Sequence, residues 1–526
     1  MTTIFLTIAF LFFAWRRILT YLHIFQQDDY DGKRFINWLV ANRTFDRKAT
    51  LCIVVLAFPA LLLADFALIF NMTGAIVMAV LGWCELDPRQ IGKKKLAMTS
   101  RASRIAWCAM AVLFILCVII TAVDAPLFVW AIMVQAIPFA LVAGNAVAAP
   151  MEKGVQKKFW NEAHAKLLDL KPFTIGITGS FGKTSVKHIL LHILSQHGPT
   201  LATPGSINTP MGIARVVRET LTPHHKYFIC EMGAYGEGSI KTLCDLAPPH
   251  AAIVTTIGHA HYERYKTLDA VARAKAELPE AALANNGWAV IGSDVLDYQH
   301  MRDLIDGNRI AIMLVGSRAA DDMRILDIKQ TAEGITAHVD YKGATYALNA
   351  PLYGLHHAAN MALAFAAAVR AGMDPALAVA ALRTTPQIRH RLEVKHQPSG
   401  AIVIDDAYNS NPAGFAAALE TLTLLGKNRR RILISPGMIE LGDAHASEHA
   451  KIGVIAAEHV DVFLPVSPMR ITAMVESFRN AAPGKLVVPC KTFADAQKWL
   501  GDNMRHDDIV LLENDLPDLY ERKLNL

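Results

Sequence analysis

The residues best suited to chemistry lie between Thr174 and Leu190, in TIGITGSFGKTSVKHIL. An apolar stretch leads into a turn punctuated by Gly176, Gly179 and Gly182, then into Lys183, Thr184 and Ser185 and a helical pattern. Small residues let backbone N–H groups curl round a phosphate, and a helix N-terminus adds partial positive charge. The loop Gly179, Ser180, Gly182, Lys183, Thr184, Ser185 is therefore a candidate phosphate cradle. Lys183 can reach the β- and γ-phosphates of a nucleotide, and the Thr184 hydroxyl can take a place on Mg²⁺. The strict spacing G-x-x-x-x-G-K-[ST] is not met, because its first glycine would fall on Ile177. What stands here is G-x-x-G-x-x-G-K-T, and an ordinary glycine-rich turn is the competing reading.

Other polar groups follow at the ends of apolar runs. Tyr227–Cys230 reads as a buried strand ending in Glu231, a candidate Mg²⁺ ligand, since Mg²⁺ takes a few protein oxygens plus water and phosphate. A second run, AAIVTTIG, leads to His259 and His261. Taken alone, a histidine such as His261 is more often structural than a ligand, and a second histidine beside the strand end shifts that only modestly. Lys275 sits in the helical pattern LDAVARAKAEL, where a solvated surface lysine is the default. Gly354, His356, His357 and Asn360 open an alanine-rich helix, with polar groups for a purine or phosphate. Asp405, Asp406, Tyr408, Asn409 and Asn411 cluster behind the apolar run AIVI, and Pro412 suits the first position of a helix.

The elements that must position these groups predict an α/β fold. Acidic and imidazole groups at the C-terminal ends of buried parallel strands are where such sheets collect a nucleotide site. The runs WAVIGSD, RIAIMLVGS, ITAHVDYKG and ATYALNA read as further strands. Beyond residue 396, AIVIDDAY, RILISPG, DVFLPVS, KLVVPC and DIVLLEN alternate with helical stretches, which argues for a second, Rossmann-like α/β domain. The expected organisation is a helical membrane region over 1–150, an ATP-binding domain over 151–395 and the second α/β domain over 396–526.

Apolar residues make up 53% of the 526-residue chain, and the excess lies before residue 150. The runs Ile4–Trp15, Leu51–Trp83, Ile105–Val123 and Leu127–Ala149 are membrane candidates. Leu51–Trp83 counts as two spans or a re-entrant hairpin, with Asp65 and Asn71 where its tip would sit, giving about five helical segments in all. Basic residues concentrate in 16–50 and 85–104, and the positive-inside rule places both in the cytoplasm. The N-terminus is then outside, and everything beyond 150 lies on the cytoplasmic face of a bacterial-type inner membrane, where ATP is. Residues 151–173 read as a short amphipathic helix on the membrane surface. The formal charge of +5 is no argument for nucleic acid. The seven cysteines form no C-x-x-C pair, so neither a zinc site nor a disulfide framework is expected.

Seven stretches occur in one order: GITGSFGKTS, EMGAYGEGSI, TTIGHAHYERY, ARAKAEL, YGLHHAANMALAFAAA, RHRLE and VIDDAYNSNP. In that order they resemble the Mur ligase family, over roughly residues 174–526. The resemblance implies a P-loop central domain and a Rossmann-like C-terminal domain. It also implies an ATP-dependent, ADP-forming amide ligase that works through an acyl phosphate, in peptidoglycan precursor synthesis of the kind that adds D-alanyl-D-alanine. It places Thr184 and Glu231 on one Mg²⁺ and His261 on a second. It places Lys275 at the family's carbamylated lysine, Arg391 at its phosphate-contacting arginine, Asn360 on the adenine side and Asp406 against the nucleotide. Lys183, Lys275, His261 and Arg391 would be the catalytic group. The partners implied are ATP, an acid, and an amino acid, dipeptide or other amine; the apolar runs add the lipid bilayer.

The chain also departs from the family. Membrane runs stand in place of the domain that holds the UDP-sugar. His357 stands where an asparagine is usual, and His390 where a glycine precedes Arg391. Glu513, Asn514 and Asp515 stand where a Lys-Gly-Ser-like turn is frequent. A lipid-linked acceptor is therefore an alternative substrate. A transport or signalling NTPase is a further reading, weakened by the scarcity of ionisable residues in the apolar runs. A catalytically dead scaffold is opposed by the intact Lys183, Thr184, Glu231 and Arg391.

Overall fold

The computed structural model describes residues 2–90, 95–234, 236–258, Tyr265, 267–408, 410–439 and 441–514. Two compact units divide at Lys157/Lys158.

The first unit is helical: α1 (Thr2–Gln27), α2 (Gly32–Ala41), α3 (Arg47–Leu62), α4 (Ala67–Cys84), α5 (Ser100–Ala122) and the beginning of α6 (Phe128–Leu170). Among the described residues, four helices are long and apolar enough to cross a membrane: α1, α4, α5 and α6. The apolar run from Leu51 does fold back, as a helix, a turn and a helix. Its tip is the 3₁₀ turn at Ala64–Phe66, so Asp65 sits at the bend, while Asn71 lies inside α4. At 16 residues α3 is shorter than a usual span. Arg17 is interior to α1 and buried, with its guanidinium bridged to Asp46 at 2.8 Å and Glu85 at 3.0 Å. Two carboxylates from other parts of this unit thus meet a cation that an apolar interior would otherwise leave unpaired.

Helix α6 corrects the sequence-based expectation at its far end. It runs unbroken for 43 residues through Pro138 and Pro150, each of which removes a single backbone donor. Residues 151–170 are thus its continuation and not a separate helix. Their apolar face does not lie on a membrane surface: Ala163 and Leu167 are buried in the α/β core with Ile213, Val217 and Phe228, and Trp160 and Leu170 pack beside them.

The second unit holds two sheets. The first has nine strands in the order β2-β3-β1-β4-β5-β6-β7-β8-β9. These are β1 (Phe173–Thr178), β2 (Thr200–Ala202), β3 (Tyr227–Glu231), β4 (Ala251–Val254), β5 (Trp288–Gly292), β6 (Ile312–Gly316), β7 (Met323–Thr331), β8 (Gly334–Tyr341) and β9 (Ala344–Ala350). Pairing is parallel as far as β7 and antiparallel through β8 and β9. Strands β1, β3 and β4 are buried and largely apolar, as strands covered on both faces require. One face carries α7 (Lys183–Ser195) and α12 (His357–Arg370), and the other α8 (Pro210–Thr220), α9 (Ser239–Leu246) and α10 (Leu268–Ala284). Helices α11 (Gln299–Gly307) and α13 (Pro375–Leu382) complete this part.

The second sheet runs β10-β11-β15-β12-β13-β14, parallel except for the edge strand β10. Its strands are β10 (Glu393–His396), β11 (Ile402–Asp406), β12 (Arg430–Ser435), β13 (Val462–Pro465), β14 (Leu486–Val487) and β15 (Asp508–Glu513). Helices α14 (Pro412–Leu425), α15 (His445–His459), α16 (Thr472–Ala481) and α17 (Phe493–Asn503) join them. All seven cysteines are free thiols.

Candidate functional site

The loop from Gly179 to Gly182 leaves the C-terminal end of β1 and enters α7. Two glycines there are obligatory. Gly179 has φ +147°, and a Cβ on it would come within 1.8 Å of Thr255 Oγ1. Gly182 has φ +83°, and a Cβ on it would come within 2.5 Å of Asn360 Oδ1. Both conformations suit glycine, and both close approaches bring other elements onto the bare backbone. The Ser180 amide donates to Thr256 O at 2.7 Å, and Ser180 Oγ donates to Gly258 O at 3.0 Å, so the segment after β4 holds the loop open from the side. Lys183 Nζ donates to Gly179 O at 2.7 Å and Ser180 O at 3.2 Å. The enclosing walls, and then Arg391, hold its pKa below the usual lysine range.

Glu231 ends β3 beside this loop and is 1% exposed. Its Oε2 accepts from Thr184 Oγ1 at 3.0 Å and from Lys187 Nζ at 2.8 Å, and its Oε1 accepts from Asn208 Nδ2 at 3.5 Å. Lys187 was not singled out by its sequence. It lies one turn beyond Lys183, is 1% exposed, and donates also to Gly205 O. A fully buried lysine on an otherwise apolar helix face is rare unless it is paired, and only the fold reveals its partner. A hydroxyl and a carboxylate 3.0 Å apart beside a phosphate-type loop are hard oxygen donors of the kind Mg²⁺ takes, so this pair fits that ion.

Lys275 is not the solvated surface lysine of the default reading. It is 5% exposed on α10, and burial, followed by Lys183, pushes its pKa well below the ordinary value. His261 and His259 lie outside the described residues, as does Asn409.

A cavity of about 1830 Å³ joins the two sheets. The central sheet supplies the loop residues 180–185, with Glu231, Thr256, Asp294 and Arg318, and α12 supplies Asn360, with His356 at its head. The C-terminal part supplies Arg391, Asp406, Tyr408, Ser410 and a lip between Ile439 and Glu448. Asn360 is 5% exposed, and its Nδ2 has no hydrogen-bond partner among the described residues, which leaves a buried donor free at the cavity wall. His357 is 1% exposed, and burial with His356 keeps its imidazole neutral, so it belongs to the core of the helix head. Arg391 lies over the Tyr408 ring, 4.4 Å from its centroid. Asp406 Oδ1 accepts from the Leu392 amide at 3.2 Å, and burial pushes the carboxyl up to about 6.

His390, Glu393 and Asp405 come close enough to hold a metal ion, but an ammonium already bridges the two carboxylates of that group. Lys395 Nζ lies 2.6 Å from Asp405 Oδ2 and 3.0 Å from Glu393 Oε2, and His390 Nδ1 lies 2.9 Å from Asp405 Oδ2. The lip is also pinned. Buried His449 accepts from the Met438 amide at 3.0 Å through Nε2 and donates to His445 O at 2.7 Å through Nδ1, and Asn514 Nδ2 donates to Gly437 O at 2.7 Å.

Lys183, Thr184, Ser185, Glu231, Asn360, Arg391 and Asp406 thus meet at one cavity, although they span more than two hundred positions of sequence. Residues 177–368 match the Mur ligase middle domain, and residues 390–513 match the Mur ligase, glutamate ligase domain. The UDP-N-acetylmuramoyl-tripeptide–D-alanyl-D-alanine ligase of Mycobacterium tuberculosis is 32% identical over 293 residues, 54% of this chain and 56% of that protein. The enzyme of the same name from Escherichia coli is 31% identical over 293 residues, 56% of this chain and 64% of that protein. The chain therefore spans little more than half the length of these curated relatives. Among solved structures, MurF from Acinetobacter baumannii superposes with a TM-score of 0.58 at 25% identity, covering 68% of this chain and 77% of that one.

Proposed function

Built on these two domains, the chain belongs to the Mur ligase family, and we propose that it is an ATP-dependent acid–amine ligase of the D-alanyl-D-alanine-adding type. The observation that carries this reading is the convergence of the loop, Glu231, Asn360, Arg391 and Asp406 on a single cavity. The carboxylate of the acid attacks the γ-phosphorus of ATP, the bond to the β-phosphate oxygen breaks, and ADP leaves. The amine then attacks the acyl carbon, inorganic phosphate departs, and the amine loses a proton. Both steps demand charge neutralisation and positioning more than covalent help from the protein.

The geometry supports the following roles. Loop amides and Lys183 bind the β- and γ-phosphates, with Lys183 swinging from its two loop carbonyls. Thr184 and Glu231 would hold Mg²⁺, which would neutralise phosphate charge. Asn360 offers its free Nδ2 to the adenine side, and Arg391 and Asp406 contact the nucleotide from the other wall. Lys275 suits carbamylation, because only an unprotonated amine adds CO₂ and burial favours that form. Its product is a carboxylate-like group where a lysine cation would repel metal. For His261, only the resemblance to the family supports a role at a second ion. The four long apolar helices support anchoring in the cytoplasmic membrane with the ligase unit on the ATP side. A lipid-linked acceptor is the second reading, favoured by those helices.

The test is ADP formation by the detergent-solubilised full chain with Mg-ATP and bicarbonate. Stimulation by UDP-N-acetylmuramoyl-tripeptide with D-alanyl-D-alanine is the expected result. Stimulation only by a membrane-lipid fraction selects the second reading. ADP formation that no acid or amine alters would overturn both.

A further inference from the structure

Strands β11 and β15 are parallel neighbours whose last residues, Asp406 and Glu513, lie directly opposite in register. Neighbouring strands lie about 4.8 Å apart, so side chains in register stand side by side on one face. Asp406 is 8% exposed and Glu513 is 0% exposed. Among the described residues, neither has an ion-pair partner, unlike Asp405 next door. Glu513 Oε1 accepts from Ser410 Oγ, while its Oε2 is buried with no partner among the described residues. Asp406 Oδ1 takes the Leu392 amide. The Asn514 amide, donating to Asp406 O at 3.1 Å, ties the two strand ends together.

Two carboxylates at this distance, sealed from water, do not both ionise near neutrality. We infer that Asp406 and Glu513 share one retained proton, and that Glu513 is a positioning residue whose carboxyl donates to Asp406 and holds it against the cavity. The unpartnered Oε2 is where that proton belongs. The charged groups facing the pair are Arg391, from the segment before β10, and Asp405, on β11 itself; Ser410 and Tyr408 come from the loop after β11. Burial pushes both groups upward, Asp406 to about 6; Asp406 raises Glu513 further, whereas Arg391 and the hydrogen bond from Glu513 pull Asp406 partly back down. When the last shared proton leaves at high pH, Asp406 loses its donor and faces a like charge. The wall carrying Asp406, Tyr408 and Ser410 is then no longer held.

What Asp406 contacts rests on the ligase reading, whereas the proton does not, so two readouts are used on the full chain in detergent. The first is the thermal midpoint against pH without nucleotide. Groups raised in the folded state contribute stability that is complete below their unfolded pKa and lost as pH rises through the folded value. The contribution of this pair to the wild-type midpoint is therefore expected to fall from about pH 4 upward. Glu513→Gln, which keeps a donor and cannot ionise, is expected to match wild type at the acid end and to melt above it at pH 8. Parallel curves for the two proteins would overturn the shared proton. The second readout is ADP formation. Wild type should show KM for ATP rising on the alkaline side by about tenfold per pH unit with kcat little changed. Glu513→Gln should be flat there, and Glu513→Ala should show the raised KM at every pH. An alkaline KM rise that persists in Glu513→Gln would overturn the positioning role. Absence of ADP from every variant would sink the ligase reading and leave the melting curves to decide the proton.

Discussion

Glu231 and Glu513 each end a parallel strand, each is almost wholly buried, and their charge is handled in opposite ways. Glu231 is met by the ammonium of Lys187 at 2.8 Å and the hydroxyl of Thr184. Glu513 meets a hydroxyl and another carboxylate. The central-sheet wall is thus built from opposite charges and stays open to cations. The C-terminal wall is built from like charges held together by a proton. The first arrangement suits a site that receives phosphate and metal. The second makes the far wall sensitive to pH.

Removing the cation from the first wall breaks the comparison most severely. Lys187→Met leaves Glu231 buried and unpaired, and breaking such a pair costs about 3–5 kcal/mol. The thermal unfolding midpoint of the full chain in detergent should fall accordingly. The double variant Lys187→Met/Glu231→Gln should recover much of that loss, since it leaves no charge uncompensated. A single variant as stable as wild type would mean that the Lys187–Glu231 bridge adds nothing.

Lys183 lies one helical turn away and should behave differently. Its ammonium rests on two loop carbonyls that water can replace, so Lys183→Ala should leave the midpoint almost unchanged. ADP formation should fall about 10²–10³-fold, the usual loss when one preorganised donor to developing charge is removed. Two lysines four residues apart on α7 would then separate into one that holds the site and one that acts in it.

That separation also marks what could be read without coordinates. The loop from Gly176 to Ser185 is contiguous, and its spacing carries its chemistry. Glu231 is legible because an apolar run precedes it. The alternation beyond residue 396 similarly revealed β11, β12, β13, β14 and β15. Lys187 was not legible, because a lysine inside KTSVKHIL looks like any solvated helix position until β3 is placed beside it. Glu513 stands in the sequence only as the end of a strand and a departure from a Lys-Gly-Ser-like turn, since nothing in DIVLLEN says that β11 will set Asp406 opposite. Strand β10, a four-residue charged edge, and β7, mostly polar on its outer face, lack the apolar pattern that marks buried strands. The continuity of α6 was hidden by Pro150 and the charge change after it.

Asp405 and Asp406 carry the contrast into neighbouring residues of β11. Burial raises Asp405, but hydrogen bonds from Lys395 and His390 outweigh it and leave its pKa lowered, whereas Asp406 is raised. A lowered carboxylate gives stability that is present above its unfolded pKa and lost as pH falls; a raised one does the reverse. Asp405→Asn should therefore be destabilised relative to wild type at pH 7 and converge with it below about pH 4. Asp406→Asn should gain on wild type as pH rises through about 6. For Asp406→Asn the gain should be on the order of 3 kcal/mol, about two pKa units at about 1.4 kcal/mol each. Melting curves of the two variants against pH that bend in the same direction would remove the contrast.

The smallest expected effect tests whether the cations around Asp405 are interchangeable. Lys395 is 40% exposed, and its neighbour His390 is 51% exposed, so water screens both contacts. Lys395→Met should cost only about 0.5 kcal/mol at neutral pH, in the range of exposed ion pairs. With the ammonium gone, Glu393 and Asp405 flank His390 without a fixed positive charge between them. The vacated centre should let Zn²⁺ raise the thermal midpoint, which it should not do while Lys395 is present. A Zn²⁺ response in wild type equal to that of the variant would show that the lysine does not guard this group. The wall's pH response would then have to be sought in Asp406 and Glu513 alone.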